Sequence, residues 1–199
     1  MDNTYDTALL VETVNEKIQE SVDVKLMLKE QAEIIAGIAS ELAAALKAGN
    51  KVLLCGNGGS AADAQHIAAE LAGKYYRDRE PLNAIALTTN SSVITALAND
   101  YSYGEIFARQ VRAMARQGDM VIGISTSGNS ANVILALEEA QKCGARTVAF
   151  TGNGGKLKEI ADLCLAVASS DTPRIQEAHI TAGHIICYLV EEMLFGGPI

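Results

Sequence analysis

The stretch Val52-Leu53-Leu54-Cys55-Gly56-Asn57-Gly58-Gly59-Ser60 decides the fold, because it joins a short apolar run to a glycine-rich turn. The apolar run predicts a buried strand, and the residues from Ser60 to Glu70 predict a helix. A glycine-rich turn brings backbone N–H groups close to a ligand, and the helix N-terminus behind it favours an anion. His66 and Glu70 are four residues apart, so both side chains project from one face of that helix. This segment therefore predicts an anion cradle beside two groups suited to metal binding or proton transfer.

The strand–helix pattern of this first unit recurs along the chain. Apolar runs predict strands at 51–55, 84–87, 120–124, 147–150 and 163–167. Helical spacing predicts helices near 60–73, 92–98, 104–116, 130–143, 155–161 and 172–195, and two more between 6 and 48. Continuous apolar strands that alternate with helices indicate a parallel sheet covered on both faces. We expect a single α/β domain over 1–199, with N-terminal helices (1–50) before a doubly wound core (51–199).

Composition excludes several classes of protein. A chain of 199 residues, 49% hydrophobic and 20% charged, is typical of one globular domain. The net charge of −8 disfavours a surface for nucleic acid or anionic lipid, so we expect neither as a partner. Four widely spaced cysteines, mostly in apolar runs and without CxxC spacing, predict reduced thiols in a cytoplasmic protein. The opening Met-Asp-Asn-Thr-Tyr-Asp lacks the apolar segment of a signal peptide, and no apolar run is long enough to span a membrane.

A second polar turn follows the third predicted strand. The run Ser125-Thr126-Ser127-Gly128-Asn129-Ser130 has four hydroxyls within six residues and ends where a helix begins. Ligands of open parallel sheets bind beyond the carboxyl ends of the strands, so we expect this turn and 56–60 to open on the same rim. Hydroxyls, free N–H groups and a helix N-terminus suit a phosphate monoester. The alternative interpretation is that these residues only cap a helix and shape a turn.

Two glycine motifs resemble nucleotide-binding sequences without meeting their requirements. The run Gly56–Ala61 fits G-x-G-x-x-A, but the next strand ends in Leu87-Thr88-Thr89-Asn90-Ser91, which offers no carboxylate to a ribose. NAD is therefore disfavoured. The run Gly152-Asn153-Gly154-Gly155-Lys156 would need a glycine at Phe150 to form a P-loop, so we interpret it as a turn.

The histidines of the chain are His66, His179 and His184. His184 follows Gln176 by eight residues on nearly the same face of the last predicted helix, and Gly183 leaves room beside it. Together with His66 and Glu70, these two residues would offer nitrogen and oxygen ligands to zinc or a similar divalent ion, provided that the two helices meet. The remaining histidine projects from another face and is predicted to be structural.

Five motifs occur together in the chain: Cys55–Ser60, His66-x-x-x-Glu70, Ala98-Asn99-Asp100, Gly123–Ser130 and Arg174-Ile175-Gln176-Glu177. Together they resemble the sugar isomerase (SIS) domain family and, within it, the phosphoheptose isomerases, over nearly the whole chain. The resemblance implies a SIS-type five-stranded sheet, a homotetramer with active sites at subunit interfaces, and zinc in the site. It also implies conversion of sedoheptulose 7-phosphate to D-glycero-D-manno-heptose 7-phosphate, on the way to ADP- or GDP-heptose for surface glycans such as lipopolysaccharide.

The resemblance also implies roles for individual residues. Glu70 would be the general base and His184 the general acid of an aldose–ketose isomerisation through an enediolate. The metal ligands would be His66, Glu70, Gln176 and His184. The phosphate would be bound by Ser125, Thr126, Ser127 and Ser130. The rest of the substrate would be contacted by Asn57, Gly58, Gly59, Glu70, Asn99, Asp100 and Gln176.

Two alternative functions lie within the same superfamily: a non-catalytic binding protein of the kind that partners the replication initiator DnaA, and a sugar-phosphate sensor. The presence of both Glu70 and His184 favours the enzyme. The chain departs from the family pattern at Pro173, where some members have Asp, and at Lys74, where Arg is frequent. Neither departure removes a proposed catalytic group. One tension concerns the base, because a glutamate committed to a metal accepts a proton less readily.

Overall fold

A computed structural model describes residues 6–196, and its centre is a five-stranded parallel sheet. The strands are β1 (Val52–Gly56), β2 (Ala84–Ala86), β3 (Met120–Ser125), β4 (Arg146–Thr151) and β5 (Leu163–Ala166). Their order is β2-β1-β3-β4-β5, and every neighbouring pair is parallel, with Val52 opposite both Ala84 and Met120. The predicted strands are confirmed. Residues 1–5, on which the prediction of no signal peptide rests, lie outside the described residues.

The helices surround this sheet. They are α1 (Thr7–Met27), α2 (Ala32–Lys47), α3 (Gly59–Ala72), α4 (Ser91–Asp100), α5 (Ala108–Met114), α6 (Ala131–Lys142), α7 (Lys156–Ile160) and α8 (Thr172–Phe195). A 3-10 turn separates α1 from α2, so the prediction of two N-terminal helices is confirmed. The single helix predicted near 104–116 is wrong, because a 3-10 turn at Tyr103–Glu105 precedes α5. Ile106 and Phe107 are both buried there, whereas consecutive side chains of a continuous helix diverge by about 100°.

Both faces of the sheet are apolar, because successive strand residues point to opposite sides. Leu54 and Ile122 belong to one core, which packs against α2, α3 and α8. Leu53 and Val121 belong to a second core, which packs against α4, α5, α6 and α7. The helices therefore cover the two faces in two groups, as the continuous apolar strands predict. The cysteines are free; Cys55 and Cys187 are buried, while Cys143 and Cys164 are half-buried.

The first helix differs from the others in how little of it is buried. Within α1, Val24 is the buried residue, and α1 is tied to α8 where Arg174 donates to the carbonyl oxygen of Lys17. Leu10, Val14 and Ile18 are about half exposed along one side of the helix. An apolar stripe of this length is unusual on the surface of a monomer. No helix within residues 6–196 combines the length and apolar character that a membrane span requires.

A charged contact joins α5 to α6 at the edge of the second core. Glu139 is 7% exposed and accepts hydrogen bonds from Arg112 Nε at 2.8 Å and Lys142 Nζ at 3.2 Å. The Arg112 hydrogen bonds, helped by Lys142, outweigh burial and lower the pKa of Glu139 from 4.5 to about 2. A carboxylate whose pKa is lowered by folding contributes stability above the pKa of its unfolded form. That stability is lost as the pH falls through the folded pKa.

We therefore expect Glu139→Gln to lower the free energy of unfolding at neutral pH by about 1 kcal/mol, a modest loss because Arg112 is exposed and water screens the pair. The difference from the wild type should shrink as the pH falls from 4.5 towards 2, where the carboxylate takes up its proton. Urea unfolding of both proteins across this range measures the difference. A gap that stays constant down to the lowest pH contradicts the assignment.

Candidate active site

The candidate site lies at the change in strand order between β1 and β3, which are neighbours in the sheet but not in sequence. Asn57 follows β1, Asn132 lies in the first turn of α6, and their side-chain amides exchange two hydrogen bonds of 2.9 and 2.8 Å. The two loops therefore meet at one rim, as the sequence predicts. Tyr103 also donates to Asn57 Oδ1, at 3.0 Å. Its position could not be read from the sequence, because Tyr103 lies between motifs and belongs to no helical or strand pattern.

The serine-rich loop, residues 125–130, gathers its hydroxyls. Ser125 Oγ lies 2.8 Å from Ser130 Oγ and 3.4 Å from Ser127 Oγ. Ser130 is the N-cap residue of α6, yet its side chain makes no capping hydrogen bond. The Ser130 hydroxyl therefore contacts the Ser125 hydroxyl and does not cap α6. This contact counts against the interpretation that Ser130 only caps a helix. Thr126 is half-buried and Ser127 is exposed.

The second glycine motif supports this loop from behind. Gly128 has φ +66° and Gly155 has φ +96°, and a Cβ on Gly128 would lie 2.1 Å from the carbonyl oxygen of Gly154. The backbone N–H of Lys156 donates to Asn129 Oδ1 at 3.0 Å, and that of Leu157 donates to the carbonyl oxygen of Gly128. The motif is a turn, as predicted. Because Gly128 and Gly155 have no side chains, the two loops pack backbone against backbone.

A cavity of about 300 Å³ opens between these loops and the start of α8. Its lining residues are Thr126, Ser127, Asn153, Gly154, Gly155, Ser169, Ser170, Thr172 and Ile175. The lining is rich in hydroxyl and backbone groups and contains no lysine or arginine. The N-cap residues of α6 and α8, Ser130 and Asp171, make no side-chain capping bond, so both helices begin near the cavity without a side-chain cap. Backbone N–H groups at helix N-termini favour an anion.

The other half of the site depends on the contact between α3 and α8. At Gly59 a Cβ would lie 2.4 Å from Gln176 Nε2, and at Gly183 it would lie 2.7 Å from Ile67 Cδ1. These contacts follow the same order along both helices, so the helices run side by side in the same direction. Glycine at 183 allows α8 to approach α3 closely, and the space beside it is occupied by the Ile67 side chain.

Three of the predicted metal ligands meet where α3 and α8 touch. His66 Nε2 lies 2.9 Å from His184 Nε2 and 3.2 Å from Glu70 Oε1, and one ligand atom of each residue lies within 4.8 Å of the others. Two imidazole nitrogens and a carboxylate oxygen are a donor set that suits zinc. The cluster is accessible, since the side chain of His66 is 48% exposed and that of Glu70 is 26% exposed.

The remaining predicted residues are Gln176, Asn99 and Asp100. Gln176 packs on Gly59. Asn99 and Asp100 are exposed at the end of α4, where Asn99 Nδ2 donates to Asp100 Oδ1 at 2.9 Å. Among the described residues, no hydrogen bond joins these two to the His66 cluster. They precede the turn that carries Tyr103, which places them at the edge of the rim.

Two further titratable groups of α8 and α3 are buried or partly buried. His179 is fully buried, its Nε2 lies 3.0 Å from the carbonyl oxygen of Thr151, and burial lowers its pKa to about 4. It is therefore a neutral structural histidine, as predicted. Burial raises the pKa of Asp63 to about 6, partly offset by His66, and Asp63 Oδ2 has no hydrogen-bond partner. Asp63 belongs to none of the motifs recognised in the sequence, although it lies three residues before His66 and so on the same side of α3.

The fold and site define a class of protein with many known members. The SIS domain model matches residues 16–152, so the chain belongs to the SIS domain family. The chain is 57% identical over 187 residues to phosphoheptose isomerase of Aquifex aeolicus, covering 93% of this chain and 98% of that protein. It is 54% identical over 184 residues to the Roseiflexus phosphoheptose isomerase, covering 92% and 93%. Within the SIS domain family, the chain is therefore a member of the phosphoheptose isomerases, and it is an isomerase.

Solved structures agree with this assignment. The phosphoheptose isomerase of Neisseria gonorrhoeae matches with a TM-score of 0.87 at 42% identity, over 92% of this chain and 99% of that chain. The fold prediction, an α/β SIS-type sheet with N-terminal helices, is confirmed.

The close contact between the two glycine-containing loops makes a testable difference between adjacent residues. Gly155→Ala would place a Cβ 2.5 Å from the carbonyl oxygen of Ser127 at a positive φ, whereas a Cβ on Gly154 meets no atom within 4 Å. We expect Gly155→Ala to cost about 1–3 kcal/mol of stability and to weaken binding of inorganic phosphate, because it displaces the serine-rich loop.

Gly154→Ala is the matched control and should stay within about 0.5 kcal/mol of the wild type. Urea unfolding and calorimetric titration with phosphate measure both effects. Equal behaviour of the two variants would show that the second glycine motif does not hold the loop.

Proposed function

We propose that the chain converts sedoheptulose 7-phosphate to D-glycero-D-manno-heptose 7-phosphate by moving a proton between C1 and C2 through an enediolate. One observation carries the proposal. The serine-rich loop and the His66 cluster (His66, Glu70 and His184) lie next to two different positions along α8. Ile175 lines the cavity beside the loop, and His184 follows nine residues later, about 13 Å along the helix. In a heptose 7-phosphate the phosphate and the reacting carbons likewise stand at opposite ends of the chain.

Glu70 is the general base in this proposal. Its Oε1 faces His66 at 3.2 Å, while no protein group among the described residues is hydrogen-bonded to its Oε2. One oxygen can therefore serve as a ligand while the other receives the proton from carbon and returns it to the neighbouring carbon. Glu70 can then bind the metal through one oxygen and still accept a proton on the other. Proton transfer by a positioned carboxylate contributes typically ~10²–10⁴-fold to the rate.

His184 is the general acid, which moves a proton at the substrate oxygen while the base acts at carbon. Its Nε2 faces His66, and its other ring nitrogen forms no hydrogen bond with residues 6–196. The proposed metal is zinc, held by His66, Glu70 and His184 with Gln176 as a fourth ligand. When bound, zinc would supply Lewis acidity that polarises the carbonyl of the substrate.

The phosphate is held by Ser125, Thr126, Ser127 and Ser130 at the start of α6. Their hydroxyls and backbone N–H groups supply donors without a buried cation. The sugar chain then passes Asn57, Gly58 and Gly59, with Asn99 and Asp100 at the outer edge and Gln176 on the inner side. Asn57 already exchanges two hydrogen bonds with Asn132, so its amide offers the sugar one remaining N–H.

The proposed assembly is a homotetramer with its active sites at subunit interfaces. Support comes from the exposed stripe of α1 and from the exposed Tyr76, Ile185 and Tyr188 beside the His66 cluster. Apolar patches of this size on a folded protein mark interaction surfaces. We place the enzyme in the cytoplasm, where its four free thiols remain reduced, at the first step toward ADP- or GDP-heptose for lipopolysaccharide or other surface glycans. The binding-protein and sensor alternatives gain no specific support.

The proposed base is tested by following sedoheptulose 7-phosphate with the zinc-loaded wild type in D₂O by NMR. We expect aldose signals with deuterium at C2, because a proton held on a carboxylate exchanges with solvent. Glu70→Gln keeps the shape of the side chain but removes its basicity, so turnover should fall by ~10²-fold or more. Full turnover by a folded Glu70→Gln protein would remove Glu70 from the role of base.

A second variant separates proton transfer from metal binding. His184→Ala should lose both turnover and zinc, since it deletes one nitrogen of the cluster, whereas His179→Gln should keep zinc because His179 lies outside the cluster. Zinc titration against a chelating dye measures this. Retention of zinc by His184→Ala would exclude His184 from the ligand set.

The proposed tetramer is tested by sedimentation equilibrium. The wild type should have four times the 21.0 kDa mass of one chain. Ile18 belongs to the exposed apolar stripe of α1 and is 57% exposed in a single chain. Ile18→Glu should give smaller species, because it would bury a charge in the proposed interface. Glu16→Gln, on the same helix, is the control. A monomeric wild type would contradict the assembly.

A further inference from the structure

A buried ion pair outside the cluster joins the end of α3 to the end of α8. Arg79 Nε donates to Glu191 Oε2 at 3.0 Å, and the two side chains are 3% and 1% exposed. Beside it lies a second pair of the same chemistry, Arg77 with Glu192, in which the arginine side chain is 46% exposed. The same loop and the same helix thus present one buried and one exposed arginine–glutamate pair.

Arg79 occupies carbonyl groups that the end of α3 leaves free. Its Nη2 donates to the carbonyl oxygen of Glu70 at 2.9 Å, and its Nη1 donates to those of Leu71 at 2.9 Å and Gly73 at 3.0 Å. The last carbonyls of a helix have no partner within the helix, and helix ends fray. The guanidinium therefore holds in place the turn from which the Glu70 side chain projects.

Glu191 fixes the other side of the same loop. It accepts hydrogen bonds from the backbone N–H groups of Tyr75, Tyr76 and Arg77 at 3.1, 2.8 and 2.8 Å. Burial opposes its ionisation, but these hydrogen bonds and Arg79 lower its pKa below 4.5, so it is a carboxylate at neutral pH. Glu191 follows His184 by seven residues, two turns along one face of α8, and the Tyr75 ring centre lies 6.0 Å from that of His184.

The energy of such a pair argues against a role in stability alone. Burying two charges costs about as much as their attraction returns, and apolar residues of similar volume often stabilise a protein equally well. What the pair supplies instead is geometry, since Arg79 donates in several fixed directions at once.

We propose that Arg79 and Glu191 are positioning residues that set the Glu70 carboxylate against His184. The connection runs from the Glu70 carbonyl through Arg79 to Glu191, and from Glu191 along α8 to His184. The inference rests on the proposed roles of Glu70 and His184 in the isomerisation. The Arg79–Glu191 pair, which lies outside the His66 cluster, would hold Glu70 and His184 at a fixed distance from each other.

The test is Arg79→Lys, which keeps the charge opposite Glu191 but cannot reach it and the three carbonyls together. We expect kcat to fall 10- to 100-fold and zinc affinity to fall in the same range, as is typical when a supporting contact of a metal site is removed. The KM for the sugar phosphate should change little, because the serine-rich loop is untouched. Arg77→Lys, the exposed counterpart, should leave all three quantities unchanged.

Glu191→Asp is the second variant, since it keeps the charge but shortens the reach to Arg79 and the Tyr75–Arg77 backbone. It should lower kcat and zinc affinity in the same direction. A folded Arg79→Lys with wild-type kcat and zinc affinity would overturn the proposal, and so would equal losses in Arg77→Lys. Failure of both Arg79→Lys and Glu191→Asp to fold, seen by circular dichroism, would make the pair a folding element and also overturn it. A wild type that neither isomerises nor binds zinc contradicts the proposed function instead.

Discussion

The close parallel packing of α3 against α8 is the contact on which the site depends. The two helices belong to opposite ends of the core sequence, and neither carries the His66 cluster alone. A Cβ on Gly183 would lie 2.7 Å from Cδ1 of the buried Ile67, so glycine there allows α8 to pack closely on α3, and His66 and His184 meet at 2.9 Å between ring nitrogens. The close packing at Gly183 therefore helps to set the geometry of the proposed metal ligands.

The serine-rich loop forms the other end of the site, and the acidic composition of the chain is unfavourable for binding an anion there. The chain carries a net charge of −8, and its field repels an anionic substrate at long range. The cavity beside the serine-rich loop has no lysine or arginine in its lining, and the nearby Lys156 is paired with Glu138 at 2.8 Å. In the proposed function, recognition of a phosphate there would depend on hydroxyls, backbone N–H groups and the starts of α6 and α8. These donors act at short range and in fixed directions, so they select a phosphate by geometry rather than by charge.

The parts of this structure that follow from local pattern were predictable, and the parts that depend on distant contacts were not. Buried strands and long helices are written in hydrophobic spacing, and the rule for ligands at a change in strand order placed both loops on one rim. The pairing of His66 with His184 could be predicted only on the condition that their two helices meet. Spacing shows which face of a helix a residue occupies, but it does not show which helix packs against that face. Asn132 and Tyr103 were missed, since their roles exist only after Asn57 has been brought to them. The pair Arg79–Glu191 could not be predicted for the same reason, because its members are 112 positions apart in the sequence.

The long helix α8 makes these separate contacts into one arrangement. Ile175 lies at the phosphate loop, Gln176 at the glycine turn, His184 at the cluster and Glu191 at the buried arginine. Because a helix rises about 1.5 Å per residue, the interval along α8 between loop and cluster is set by the number of residues between them. A substrate that must engage both ends at once is therefore selected by its length. If the serine-rich loop and Glu70 have the roles proposed for them, a shorter sugar phosphate that engages the loop would leave its carbonyl short of Glu70.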